Sequence, residues 1–176
     1  MNRGLLLTLT EPPGGMDEEF NAWYDQEHLA ERRAIPGFRS AQRWVIDCKP
    51  GEGRYLATYE LDSPGVLSSP AYLARYRNQT PWSRRCLGKA VVFKRWACEQ
   101  VSPGAADAHP AAKAIALAFG RPDIQLQGSV LQVRRFAAFE GEPKDLTLVE
   151  LGDANAAAAP AASPLANALV YRRYEP

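Results

Sequence analysis

The first apolar stretch, Gly4-Leu5-Leu6-Leu7-Thr8-Leu9, ends at Pro12-Pro13-Gly14-Gly15, so residues 4–11 read as a strand. The acidic run Asp17-Glu18-Glu19 suits the positive end of a helix. That helix is predicted to reach about Ile35, because Pro36 disfavours helical geometry before it and Gly37 ends the turn. Residues 38–47 form a second strand, Lys49 to Gly53 a turn, and residues 54–61 a third strand rich in β-branched and aromatic side chains. Asp62-Ser63-Pro64 opens a helical region that runs to about Arg77 and is interrupted at Pro70. Thr80-Pro81-Trp82 starts a short further segment, and residues 89–99 form the fourth strand. The order β-α-β-β-α-β is the split βαβ, or ferredoxin-like, plan.

After a linker-like stretch the pattern restarts in reduced form. Ala114 to Phe119 alternates small and large residues and ends in Arg121-Pro122, as the first strand ends in Glu11-Pro12. Arg43-Trp44 returns as Arg135-Phe136, and Tyr59-Glu60-Leu61 as Val149-Glu150-Leu151. Ala90 to Trp96 matches Ala168 to Tyr174 at a constant offset of 78. The second copy lacks the length of the first helix, and its second helix is reduced to Ala154 to Ala162. The expected fold class is α+β: a complete ferredoxin-like repeat at 1–100, a linker at 101–112, and a truncated repeat at 113–176. The two sheets are expected to pack face to face, with the first copy's helices outside. The outer face of the second copy is mostly alanine, which raises the expectation of a homodimer through it.

On the first helix, Phe20, Trp23, Tyr24, Glu27, His28 and Glu31 share one stripe at 100° per residue, while Leu29 and Arg32 point elsewhere. Two carboxylates on an aromatic stripe must be paired if buried. Arg43 and Arg95 are the candidate partners, with Arg135 and Arg173 as further candidates from the second copy. His28 reads equally as a structural histidine and as an acid–base group, since its unperturbed pKa lies near neutrality. His109, beside Pro110, reads as exposed.

Composition narrows the classes. A net charge of +1 argues against nucleic acid as the main partner. The apolar N-terminal run is too short for a membrane span or a secretory core. The three cysteines, Cys48, Cys86 and Cys98, lack C-x-x-C spacing, so neither a disulfide framework nor a zinc site follows, and a cytoplasmic protein is expected. Two histidines make a metal site of the histidine-rich kind a poor fit, and no phosphate-binding glycine motif or G-x-S-x-G elbow occurs.

The run Trp23-Tyr24-Asp25-x-Glu27-His28-x-x-Glu31-Arg32, followed by Ile35-Pro36-Gly37-Phe38, resembles EthD-like members of the dimeric α/β-barrel superfamily. So do Ala57-x-Tyr59-Glu60-Leu61, Ser69-Pro70-x-Tyr72 and Thr80-Pro81-Trp82, and the resemblance covers about residues 4–98. It implies two ferredoxin-like sheets closed into a barrel, with a ligand cavity between helix and sheet that His28 faces. Such families include polyketide cyclases, decarboxylases and dehydratases acting on polyphenols, cofactor-free monooxygenases and haem-degrading enzymes. The fused, truncated second copy departs from the pattern, and one site, in the first half, is expected.

Two main functional readings remain open. One is a cofactor-independent lyase, cyclase or decarboxylase acting on an aromatic or polyketide-like molecule. In it His28 is the general acid or base, Glu27 or Glu31 orients its ring, Tyr24 and Tyr59 hydrogen-bond the substrate, Trp23 and Trp96 stack on it, and Arg43 or Arg95 stabilises a developing anion. Each of these residues has a plainer role as core aromatic or salt-bridge partner. The other reading is a binding or interaction module for a small apolar ligand, without chemistry. Haem ligation by His28 comes third. No cofactor and no metal are expected for the first two.

Overall fold

The structure is a computed structural model and describes residues 2–123, 129–153 and 168–176. The expected helical remnant Ala154 to Ala162 lies outside the described residues.

Eight antiparallel strands close into a barrel in the order β1-β3-β2-β8-β5-β7-β6-β4. In chain order these are β1 (Gly4–Glu11), β2 (Phe38–Val45), β3 (Tyr55–Leu61), β4 (Val92–Ser102), β5 (Ala114–Phe119), β6 (Val130–Glu140), β7 (Asp145–Leu151) and β8 (Leu169–Arg173). The sheets therefore do more than face each other. They are joined edge to edge, at β4–β6 and at the short β2–β8 seam where Trp44 faces Arg173, which leaves no open edge. Strand alternation sends Leu5, Leu7 and Leu9 into the barrel, where they meet Trp44, Leu56, Trp96, Ile115, Leu117, Phe136 and Tyr171. The intervening Leu6, Thr8 and Thr10 face outward.

The pairing register locates the sequence echoes. Leu5 lies opposite Glu60, Ile115 opposite Glu150, Trp44 opposite Leu56, and Phe136 opposite Leu146. These pairings recur at the offsets read from the sequence for the corresponding strands. The last echo does not follow the sheet. Leu5 faces Cys98 and Ile115 faces Tyr171, an offset of 73 rather than 78, and the difference of five turns Phe93 outward where Tyr171 points inward.

All the helices described pack outside the first half. The first is continuous from Asp17 to Arg33 but not uniform: α1 (Asp17–Trp23) passes through a π turn at Tyr24–His28 into α2 (Leu29–Arg33). A 3₁₀ turn at Pro64–Ser68 leads to α3 (Pro70–Arg77), and α4 (Pro81–Lys89) follows. Pro70 starts α3 rather than interrupting it, because a proline at the first helical position loses no hydrogen bond. Ser69 and Thr80 cap the two helices, their hydroxyls accepting from Tyr72 N (3.2 Å) and Ser83 N (2.9 Å). Because α4 runs to Lys89, β4 begins at Val92 and not at Lys89, and it continues to Ser102, into the expected linker. On the second half's outer face, Ala114, Ala116 and Ala118 are buried within the single chain.

At one end of the barrel interior an arginine joins the halves. Arg134 forks onto Glu60 (Nη1–Oε2 2.9 Å, Nη2–Oε1 2.8 Å) and donates through Nε to Glu150 at 2.8 Å, all three residues being buried. Glu150 also accepts from Gln132 and from the backbone N–H of His109 at 2.8 Å. His109, expected to be merely exposed, thus belongs to this network through its main chain.

Candidate functional site

The first helix lies across the outer face of β1, β3 and β2, and its buried stripe is Phe20, Trp23, Tyr24 and His28. The π turn moves the rest of the expected stripe. One extra residue in a turn rotates everything after it by roughly 100° relative to a regular helix. Glu31 therefore turns away and pairs with Arg75 of α3 at 3.1 Å. Arg32, expected to point elsewhere, comes round beside His28 and lays its guanidinium over the Tyr72 ring, 5.7 Å from the centroid. The resemblance and the aromatic spacing gave no sign of this insertion.

A cavity of about 510 Å³ opens between this helix, α3, α4 and the barrel wall. That volume suits a small ligand. His28, Tyr24, Arg32, Tyr59, Tyr72, Tyr76, Leu87, Phe93 and Arg95 line it, together with Leu6, Thr8, Gln79, Arg84 and Gly88. Of the residues expected at the site, His28, Tyr24, Tyr59 and Arg95 come together here. Sequence reasoning missed Thr8, Arg32, Tyr76, Arg84 and Phe93; Tyr72 stood only as part of the quoted Ser-Pro-x-Tyr run.

The other expected site residues are elsewhere, each for a visible reason. Glu27 Oε1 accepts from Thr80 Oγ1 (2.6 Å), Ser83 Oγ (3.2 Å) and Trp23 Nε1 (3.2 Å), which ties the helix to the start of α4 and takes both Glu27 and Trp23 away from the His28 ring edge. Trp23 is fully buried and touches His28 only by its face, the ring centroids being 4.4 Å apart. Trp96 points into the barrel, on the opposite side of the sheet from the cavity. Arg43 pairs with Asp25 (3.2 Å), donates to Asn21 Oδ1 (2.6 Å) and is sandwiched between the rings of Tyr24 and Tyr174, on the far side of Tyr24 from the cavity. Neither Glu27 nor Glu31 orients His28.

What faces His28 instead is a cation. Arg32 Nε donates to His28 Nε2 at 3.4 Å, so in the neutral ring the proton sits on Nδ1. Burial pushes the His28 pKa well below its ordinary 6.5, and the nearby Arg32 and Arg43 charges push it further in the same direction. Nδ1 is buried with no hydrogen-bond partner, and so is Thr8 Oγ1; Tyr59 Oη is equally buried and stands beside the Tyr24 phenol. Burial and the neighbouring Tyr24 phenol hold Tyr59 well above its usual pKa, so it is a neutral donor. Arg95 donates to Tyr72 Oη at 3.0 Å and pairs with Glu140.

The arrangement offers a neutral imidazole, the neutral Tyr59 phenol and guanidinium groups around a partly aromatic space. It can hold a flat ligand, donate hydrogen bonds to its oxygens, and move a proton at the imidazole. A metal or haem iron finds a poor fit, since His28 Nε2 faces a guanidinium; among the described residues no cluster of three or more His, Cys, Asp or Glu is placed to hold a metal ion. No helix among the described residues is long and apolar enough to cross a membrane.

No family model matches the chain, and no curated protein matches it by sequence. A search of solved structures finds the crystal structure of an anthrone oxidase-like protein, with a TM-score of 0.54 over 99% of this chain and 92% of that one, at 11% identity. At that identity the likeness is one of fold alone.

Proposed function

We propose that the His28 cavity binds a small flat aromatic or polyketide-like molecule and that His28 acts on it as a cofactor-independent acid–base group, in the manner of a lyase, cyclase or decarboxylase. The observation that carries this reading is a cavity of about 510 Å³ in which Tyr24, Tyr59, Tyr72 and Phe93 surround His28 together with Arg32 and Arg95. The name of the structural neighbour points the same way: an anthrone carries an acidic CH₂ between aryl rings, and its conjugate base is a phenolate. Such a proton passes to His28 Nε2 once Arg32 Nε releases that lone pair, and leaves an oxyanion that Tyr59 and the freed guanidinium stabilise. The wider reading is of a chain built from a complete ferredoxin-like unit and a reduced copy, EthD-like in its first half and cytoplasmic, with the second half supporting the first.

Carbon-acid exchange tests this without knowledge of the full reaction. Anthrone in deuterated buffer is followed by proton NMR, with wild type and with His28→Ala. The reading expects the wild type to speed loss of the CH₂ signal and the variant not to. A fully active His28→Ala removes the acid–base assignment.

One observation favours a second reading, binding without chemistry. Arg32 occupies the one lone pair of the neutral imidazole, and His28 is a weak base for a histidine. Ligand binding by wild type with no acceleration of exchange supports that reading.

A further inference from the structure

The cavity carries more positive charge than the fold uses. Arg32, Arg84 and Arg95 line it, and among the described residues no carboxylate does. Glu140 pairs with Arg95 from the side and is itself half-exposed. Arg32 has no carboxylate partner among the described residues: its nearest acidic neighbour in sequence, Glu31, is committed to Arg75. Arg84 likewise has none among the described residues, and its guanidinium donates to the Gln79 carbonyl at 2.6 Å. The imidazole adds no charge, being held neutral. Unpaired guanidiniums at the rim of a low-dielectric cleft focus a positive potential into it.

These charges are placed relative to the other polar atoms. Thr8 and Arg95 are direct neighbours across β1 and β4, and Leu6 and Tyr59 across β1 and β3, all four on the outer face of the barrel. The Thr8 and Tyr59 hydroxyls thus belong to the barrel wall, Arg32 to the helix above it, and Arg84 to an exposed position on α4. Tyr72, Tyr76, Leu87 and Phe93 supply the apolar surface.

Resting on the proposal that this cavity is the binding site, we infer that its ligand is an aromatic carboxylate carrying a second oxygen: the carboxylate meets Arg32 and Arg84, the rings lie against Tyr72 and Phe93, and the second oxygen meets the Thr8, Tyr59 and His28 groups. A carboxylate matches the planar donor edge of a guanidinium and takes charge-assisted bonds that a phenol or ketone cannot replace.

Calorimetric titration with 3-hydroxy-2-naphthoate and with 2-naphthol, at neutral pH, separates the claims. The naphthoate is expected to bind about 10- to 100-fold more tightly than the naphthol. Added salt is expected to weaken only the naphthoate. Arg84→Gln, at an exposed position with little risk to folding, and Arg32→Gln each reduce the preference. Equal affinity for the two probes, or a preference untouched by both arginine variants, overturns the inference and leaves the aromatic site standing. Failure of both probes to bind up to solubility overturns the inference and the site together.

Discussion

Arg32 Nε donates to His28 Nε2 at 3.4 Å, one turn further along the same helix. A cation in that position is the reverse of the usual histidine–carboxylate pair. It fixes the neutral tautomer with the proton on Nδ1 and, with burial, keeps the ring from becoming positive.

The consequence for stability has a definite sign. The unfolded chain takes a proton on His28 as the pH falls below about 6.5, whereas the folded protein, with its lowered pKa, does not. Its contribution is therefore intact above 6.5 and is lost on acidification toward the folded pKa, with a slope of at most about 1.4 kcal/mol per pH unit. Urea unfolding of wild type and His28→Gln between pH 5 and 8 is expected to show a smaller loss for the variant on the acid side. Parallel curves contradict the buried neutral ring.

Glu27 is expected to behave as a tie between elements. Its carboxylate accepts from Trp23, Thr80 and Ser83 and stands away from His28, so Glu27→Ala is predicted to cost about 1.5–3 kcal/mol while leaving ligand affinity at permissive temperature nearly unchanged. Thermal unfolding and the naphthoate titration check the two parts. A stable variant that no longer binds returns Glu27 to the site.

Much of this was legible in the chain. The first three strands, the barrel expectation and the convergence of His28, Tyr24, Tyr59 and Arg95 follow from period-2 runs, Pro-Gly stops and the resemblance around Trp23 to Phe38. The errors have physical causes. The π turn leaves no mark in apolar periodicity, so Glu31 and Arg32 were given each other's places. Strand parity decides whether an aromatic faces the barrel or the cavity, so Trp96 reads like Phe93 until the register is known. Arg134 is flanked by Val133 and Arg135 in an unremarkable polar stretch, and only the meeting of Glu60 and Glu150 from separate halves makes it the buried partner.

That partnership carries its own prediction. Arg134→Met leaves two buried carboxylates without their cation and is expected to cost about 3–5 kcal/mol in urea unfolding. Adding Glu60→Leu to it is expected to recover part of the loss. A single variant within about 1 kcal/mol of wild type, the range of a surface pair, contradicts the role assigned to Arg134.

Cys98 sits inside the barrel, where burial pushes its thiol up to about 12. Alkylation at pH 8 is expected to spare it until the protein unfolds and to reach the half-buried Cys48 first, as read by peptide mass mapping. Early modification of Cys98 in the folded protein contradicts the closed barrel.

The location of the site is tested most directly by blocking it. Gly88 of α4 lines the cavity, and a Cβ there meets nothing within 4 Å, so Gly88→Trp adds a large ring beside the cavity with room for it and no backbone strain. Thermal shift with phenols, polyketide-like aromatics and 3-hydroxy-2-naphthoate is run on wild type, Gly88→Trp and His28→Ala. A ligand at about 100 times its dissociation constant adds about 2.7 kcal/mol, or roughly 5–11 °C for a chain of this size. The account predicts that shift for wild type and its loss in Gly88→Trp, with the variant otherwise as stable as the parent. An equal shift in both proteins places the ligand elsewhere and contradicts the account.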